Sequence, residues 1–89
     1  KVGLAAGAPQ FYLQLAAFYN RLGRFDKAIV SLEQRASADP ESPEAAYTIA
    51  TYYWDKAYRD AQLSEPQKRD YVQKGIRAVD RAIQIKPDY

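Results

Sequence analysis

The side chains that carry most enzyme chemistry are scarce in this chain. It contains no histidine and no cysteine, which removes the usual nucleophile–base pairs and most transition-metal ligand sets. Carboxylates remain, but general acid–base catalysis needs two of them in a sheltered cleft. The acidic residues near predicted helix ends or on exposed faces are explained by capping and solvation: Asp26, Glu33, Asp39, Glu41 and Glu44. We therefore expect no catalytic residue, no metal site, no cofactor and no enzymatic activity.

A row of basic side chains is the next group whose spacing suits a chemical role. Lys74, Arg77 and Arg81 share one stripe of a predicted helix, and such a row could contact phosphates. Asp70 and Asp80 interrupt the row, and a net charge of +2 gives no field of one sign. The pattern favours a solvated helix face, and we expect no nucleic-acid partner.

Length and composition allow one small domain without a membrane span. A spanning helix needs roughly 20 apolar residues, no run approaches that length, and 27% of the residues are charged. The chain contains no Met and ends two residues after Pro87. We therefore expect it to be a fragment of a larger protein.

The elements that must position these side chains are four predicted helices. Pro9 suits the first turn of the first helix, and Gly23 can adopt the left-handed conformation that follows a helix end. The second helix begins near Phe25 and ends at 39–40, because the residue before a proline is pushed out of the helical region. The predicted apolar stripe of the first helix comprises Tyr12, Leu15, Ala16, Tyr19 and Leu22.

The third and fourth helices have clear start signals. The sequence Ser42-Pro43-Glu44 combines a capping hydroxyl with an early proline and an acid, and this helix should run to about Asp60 or Ala61. Ser64 and Gln67 fit a capping box for a helix from about Pro66 to Ile85. The predicted apolar stripe of the fourth helix comprises Val72, Ile76, Val79, Ala82 and Ile83.

The helical hairpin occurs twice in the sequence. Pro9 and Pro43 are 34 positions apart, whereas Pro40 and Pro87 are 47 apart, so the second copy is longer by 13 residues. A hairpin that repeats at this period indicates a solenoid. We assign residues 1–8 to a linker or frayed N-terminus, 9–42 to a first repeat and 43–89 to a second repeat with extended helices.

Residues 9–89 resemble the tetratricopeptide repeat family. The first repeat carries the family pattern at Tyr12, Leu15, Ala16, Tyr19, Gly23, Phe25, Ala28, Leu32 and Pro40, and the second matches at Ile49, Ala50, Tyr53, Ala82 and Pro87. The resemblance implies an all-α fold of four helices, with antiparallel hairpins stacked as a right-handed α-solenoid. A plain four-helix bundle is the alternative. Small residues should let the helices approach closely, namely Ala16, Ala28, Ala50, Gly75 and Ala82.

The resemblance also implies a concave groove that binds partner segments, lined by the first and third helices. Residues one step off the core stripe should face it: Leu13, Ala17, Asn20 and Arg21 from the first helix, and Tyr47, Thr51, Trp54, Asp55 and Tyr58 from the third. Four of the latter follow at spacings of four, three and four, so they share one stripe. Tyr and Trp are frequent anchors of interfaces.

We therefore expect a non-catalytic protein–protein interaction module that binds a relatively apolar peptide or partner helix. The alternative is a self-association or linker module, in which the aromatic residues pack against another copy, as a homodimer, or against an adjacent repeat. Some members of the family clamp chaperone C-terminal tails with Lys and Asn. Here Leu13, Ala17, Tyr47 and Thr51 occupy the comparable places, so we do not expect that partner.

Overall fold

The structure, a computed structural model, describes the backbone of residues 2–88 and the side chains of residues 10–88. Its helices are α1 (Val2–Arg21), α2 (Phe25–Ala38), α3 (Pro43–Arg59) and α4 (Glu65–Ile85). The described residues contain no strand, so the all-α prediction is confirmed. No helix in the described part of the chain is both long and apolar enough to cross a membrane.

The chain divides into two compact units, each a helical hairpin. Unit 1 spans Lys1–Pro40 and packs α1 against α2; unit 2 spans Glu41–Tyr89 and packs α3 against α4. Short connections make the two helices of each hairpin antiparallel neighbours. The stacking of hairpins into a solenoid and the repeat boundaries at 9–42 and 43–89 stay predictions.

Glycine and proline set the ends of the first hairpin as predicted. Gly23 has a φ of 78°, a left-handed conformation that favours glycine. The N–H of Arg24 donates to the Tyr19 carbonyl at 2.8 Å, which closes the end of α1. The second helix, α2, ends at Ala38, two residues before Pro40.

Side-chain caps start both helices of unit 2. The Ser42 hydroxyl accepts a hydrogen bond from the Ala45 N–H at 3.3 Å. The Ser64 hydroxyl accepts from the Gln67 N–H at 3.3 Å, and the Ser64 N–H donates to the Gln67 side-chain oxygen at 2.9 Å. The predicted capping box is therefore confirmed.

Loss of this box should weaken α4 measurably. We expect Ser64→Ala to lower the free energy of unfolding by about 1 kcal/mol, because the Gln67 N–H loses its acceptor. Urea denaturation followed by circular dichroism measures the change. Ser37→Ala removes an exposed hydroxyl from α2 and should change stability by less than about 0.5 kcal/mol. Equal effects of the two substitutions would contradict the capping role.

The predicted start of the first helix is wrong, because α1 begins at Val2 rather than at Pro9. Residues 2–8 include three alanines, the residue with the highest helix propensity, together with Gly3 and Gly7, which favour a helix less. Pro9 lacks a backbone N–H, which removes one helical hydrogen bond. In this helix it does not set the boundary.

The core of each hairpin is built on small residues. Ala16, Ala28, Ala50, Gly75 and Ala82 are all buried, as predicted. The largest fully buried side chains are Leu32 in unit 1 and Ile49 in unit 2. Short side chains bring the helix backbones together, and the larger residues fill the space that remains.

Part of the predicted apolar stripes lies outside this core. Leu22 is 60% exposed, because it follows the last residue of α1 and lies in the turn. Ile76 and Ile83 are 43% and 44% exposed. The buried residues of α4 are Gly75, Ala78 and Ala82, and of these Ala82 alone belongs to the predicted apolar stripe. The predicted apolar stripe of α4 is therefore only partly buried, with Ile76 and Ile83 on its exposed side.

Candidate partner-binding surface

One face of α3 carries a row of aromatic and polar side chains, which we call the aromatic strip: Tyr47, Thr51, Trp54 and Tyr58. Their spacing of four, three and four places them along about three helical turns. Tyr58 is 79% exposed and Tyr47 is 42% exposed, whereas Thr51 and Trp54 are half-buried. The strip therefore offers two exposed phenol rings with a partly covered indole between them.

Trp54 is held by the other helix of its own hairpin. Its indole N–H donates to the Val72 carbonyl of α4 at 3.4 Å. The ring also lies over Gly75, where an added Cβ would overlap the indole nitrogen and come within 2.6 Å of Cδ1. Trp54 is thus a contact between α3 and α4 as well as a member of the strip.

This packing role was missed by sequence reasoning, although one feature indicated it. Gly75 interrupts the middle of α4, where glycine destabilises a helix by roughly 1 kcal/mol relative to alanine. An interior glycine of this kind indicates that another group approaches the backbone closely. Here that group is the Trp54 indole.

The polar edge of the strip is an ion pair. The Asp55 carboxylate accepts from the Arg59 guanidinium at 2.7 Å, and both side chains are largely exposed. Burial raises the pKa of the neighbouring Tyr52 hydroxyl above its usual value, and the charge of Asp55 raises it further. Tyr52 therefore stays neutral around pH 7, and the fixed charges at this edge belong to Asp55 and Arg59.

The four site residues predicted on α1 lie in unit 1. Ala17, Asn20 and Arg21 are exposed, and Leu13 is half-buried. The backbone carbonyl of Asn20 accepts from the Gly23 N–H at 3.1 Å. This set therefore leads into the turn that joins α1 to α2.

A second aromatic cluster, also missed from the sequence, lies between α3 and α4. The rings of Tyr53 and Tyr71 stack with centroids 5.8 Å apart. The Lys74 ammonium lies 5.9 Å and 5.8 Å from the two centroids and 3.1 Å from the Asp70 carboxylate. The hydrogen bond that the Lys74 ammonium donates to the Asp70 carboxylate is the main cause that raises the pKa of Lys74. Spacing of four between Asp70 and Lys74 could have indicated the pair.

A similar pair closes the end of α3. The Lys56 ammonium lies 2.8 Å from the Asp60 carboxylate, and the Gln62 N–H donates to that carboxylate at 2.9 Å. The hydrogen bond from Lys56 is the larger cause that lowers the pKa of Asp60, and the hydrogen bond from the Gln62 N–H lowers it further. Among the described residues, no group of three or more possible ligands could hold a metal ion.

A comparison with known protein families identifies residues 9–52 of the chain. Residues 9–52 match the family model described as Tetratricopeptide repeat, which covers α1 from Pro9, all of α2 and the first part of α3. These residues are a tetratricopeptide repeat. Tetratricopeptide repeats are generally non-catalytic modules for protein–protein interaction. No curated protein and no solved structure has significant similarity to the chain.

The match ends within the aromatic strip. Tyr47 and Thr51 lie inside the matched tetratricopeptide segment, whereas Trp54, Tyr58 and the whole of α4 lie beyond it. The description of 43–89 as a second, expanded repeat therefore stays a prediction.

Proposed function

We propose that the aromatic strip of α3 binds a relatively apolar peptide or helix of a partner protein, without catalysis. The observation that carries the proposal is the pair of exposed rings, Tyr58 and Tyr47, on either side of the indole of Trp54. Tyrosine offers a large contact area with a polar tip, and it is enriched among residues that dominate binding energy.

The fixed indole favours binding at this surface. The hydrogen bond to the Val72 carbonyl and the contact with Gly75 already order the Trp54 side chain. Little additional entropy of this side chain is therefore lost when a partner contacts it. From Tyr47 to Tyr58 the strip extends for about 16 Å at 1.5 Å per residue. This length accommodates about five residues of an extended peptide or about three turns of a helix.

The charged residues beside the strip would orient a partner and would contribute little to its affinity. Asp55 and Arg59 are exposed and paired with each other, and exposed pairs contribute little affinity because water screens them. On unit 1, we propose that Leu13, Ala17, Asn20 and Arg21 contact the same class of partner. Self-association through the strip, as a homodimer, is the alternative.

Selection from a random peptide library displayed on phage provides a probe for this proposal. We expect peptides selected on the wild-type chain to bind Tyr58→Ala at least about tenfold more weakly, a loss of about 1.4 kcal/mol. Tyr47→Ala should have a smaller effect in the same direction, because Tyr47 is less exposed. Fluorescence anisotropy of labelled peptides measures the dissociation constants.

Phe18→Ala is the control, since Phe18 is an exposed aromatic residue of α1 outside the predicted site. It should leave affinity within about twofold of wild type. Selected peptides that bind the Tyr47→Ala/Tyr58→Ala double variant as well as wild type would exclude the strip. Dimers that dissociate only on Tyr58→Ala would favour the self-association alternative.

A further inference from the structure

The composition of the chain directs oxidation to its aromatic side chains. Cysteine and methionine, the residues that oxidants most often modify, are both absent from the sequence. Eight tyrosines and one tryptophan are present among the 89 residues. Phenol and indole rings lose an electron more readily than the other side chains that remain, so a one-electron oxidant acts on a tyrosine or on Trp54. The positions of the rings then decide which product forms.

Tyr53 of α3 and Tyr71 of α4 are two phenols in contact. Their ring centroids are 5.8 Å apart and the ring planes are inclined by 26°, an arrangement within the range of stacked aromatic pairs. Two ring pairs of α1 are equally close, but each joins a phenylalanine to the tyrosine that follows it and so holds one phenol. Tyr53 and Tyr71 therefore bring together two rings that can couple with each other.

A basic side chain holds this pair of rings in place. The Lys74 ammonium lies 5.9 Å from the Tyr53 centroid and 5.8 Å from the Tyr71 centroid, distances typical of cation–π contacts. The Asp70 carboxylate accepts from that ammonium at 3.1 Å. Both tyrosines are half-buried rather than buried. The pair is thus ordered by its neighbours and still reaches solvent, where a small oxidant is found.

We propose that Tyr53 and Tyr71 are a site of oxidative cross-linking, at which a one-electron oxidant joins α3 to α4 through a dityrosine bond. Each phenol gives one electron to the oxidant and one proton to water, which leaves two phenoxyl radicals. The radicals combine in a carbon–carbon bond between the ring carbons ortho to the two oxygens. The hydrogens on these carbons then move to the oxygens as protons through water, which restores both aromatic rings. The chain loses two hydrogen atoms, and the oxidant takes up two electrons.

The bond locks the hairpin of unit 2. Tyr53 and Tyr71 are 18 positions apart in the sequence, so the bond closes a loop that contains the end of α3 and the start of α4. A cross-link of this kind restricts the unfolded chain and thereby favours the folded one. Tyr53 directly precedes Trp54, and consecutive residues point about 100° apart around a helix. The bond therefore forms beside the aromatic strip and not within it.

Photo-oxidation of the whole chain tests the proposal. The oxidant is a ruthenium tris-bipyridyl complex under light, with persulfate as the final electron acceptor, at a concentration where the protein is monomeric. We expect a monomeric product that is lighter by two hydrogen atoms and shows the fluorescence of dityrosine. Trypsin cleaves after lysine and arginine, so the bond should join peptide 36–56 to peptide 70–74. Fragmentation in the mass spectrometer should place it on Tyr53 and Tyr71.

Matched phenylalanine variants locate the bond. Tyr53→Phe and Tyr71→Phe keep a ring at each position but remove the phenol, so each should reduce the cross-linked monomer to the background level. Tyr52→Phe is the control, because Tyr52 is a half-buried tyrosine directly before Tyr53, and it should leave the yield unchanged. The cross-linked chain should also unfold at a higher urea concentration than the unoxidised chain.

The proposal is overturned by a cross-linked monomer that forms equally well in Tyr53→Phe or Tyr71→Phe. Products that consist of dimers alone also overturn it, because Tyr58 is 79% exposed and can couple between chains. Addition of oxygen to Trp54 without any cross-link has the same consequence. Tyr58→Ala should form the bond as wild type does, so failure of this proposal is distinguishable from failure of peptide binding at the aromatic strip.

Discussion

Gly75→Ala is expected to lower the free energy of unfolding by about 2 kcal/mol, the range observed for overpacked cores. In a solvated helix the same change stabilises, since alanine is the better helix former. Here the added Cβ would overlap the Trp54 indole, so the ring must move and its hydrogen bond to the Val72 carbonyl is lost.

The sign of this effect should invert when the indole is absent. In a Trp54→Ala background, Gly75→Ala should raise the free energy of unfolding by about 0.5–1 kcal/mol, because only helix propensity remains. A double-mutant cycle from urea denaturation measures the coupling. A destabilisation of the same size in both backgrounds would exclude the contact between Trp54 and Gly75.

Gly23→Ala is the matched control for this cycle. Its destabilising effect comes from the φ of 78°, and nothing lies within 4 Å of its added Cβ. We expect a destabilisation of about 1–2 kcal/mol. Because Gly23 is far from Trp54 in the sequence and lies in the other hairpin, the loss should be equal with and without the indole.

Leu32→Ala should be a strongly destabilising truncation in unit 1, with a loss of about 3 kcal/mol. Leu32 is completely buried in a core that contains Phe25 and the short residues Ala16, Ala28 and Ala36. Such short side chains cannot extend to fill the space, so a cavity remains and adds to the lost transfer energy.

Val30→Ala is the control for this truncation, because Val30 lies two positions away on the same helix and is 55% exposed. It should change the free energy of unfolding by less than about 0.5 kcal/mol at a concentration where the protein is monomeric. Similar losses for the two variants in urea denaturation would contradict the position of the core.

Local rules predicted most helix boundaries. Gly23, Pro40, Ser42 and Ser64 each act within a few residues, through a positive φ, a steric restriction or a capping hydrogen bond. The start of α1 was missed for a related reason. The proline rule permits a start at Pro9 but does not require one, and residues 2–8 are helix-compatible.

Contacts between helices could not be predicted with the same rules. The sequence pattern gives the apolar side of α4, but the rotation of α4 against α3 decides that Gly75 and Ala82 are buried while Ile76 and Ile83 are exposed. The same rotation brings the Trp54 indole over Gly75. Such a rotation depends on how the side chains of two helices interdigitate, which no single segment determines.

The sequence predicted which residues of the candidate site share a helix face, but not how each of them is held there. The spacing of Tyr47, Thr51, Trp54 and Tyr58 puts them on one face of α3, and their role in partner binding stays a prediction. It could not show that Trp54 is anchored on α4, because that contact joins residues 18 positions apart. Truncation of Trp54 would therefore reduce stability as well as binding, which makes Tyr58 the better probe of function.

The most direct test is a two-dimensional NMR titration of the labelled chain with a library-selected peptide. The chain has one Trp, so its indole N–H gives a single signal. We expect the largest shifts at Tyr47, Thr51, Tyr58 and this indole signal, and their loss in Tyr58→Ala. Shifts confined to α4 or to unit 1, with the aromatic strip unchanged, would contradict partner binding at the strip.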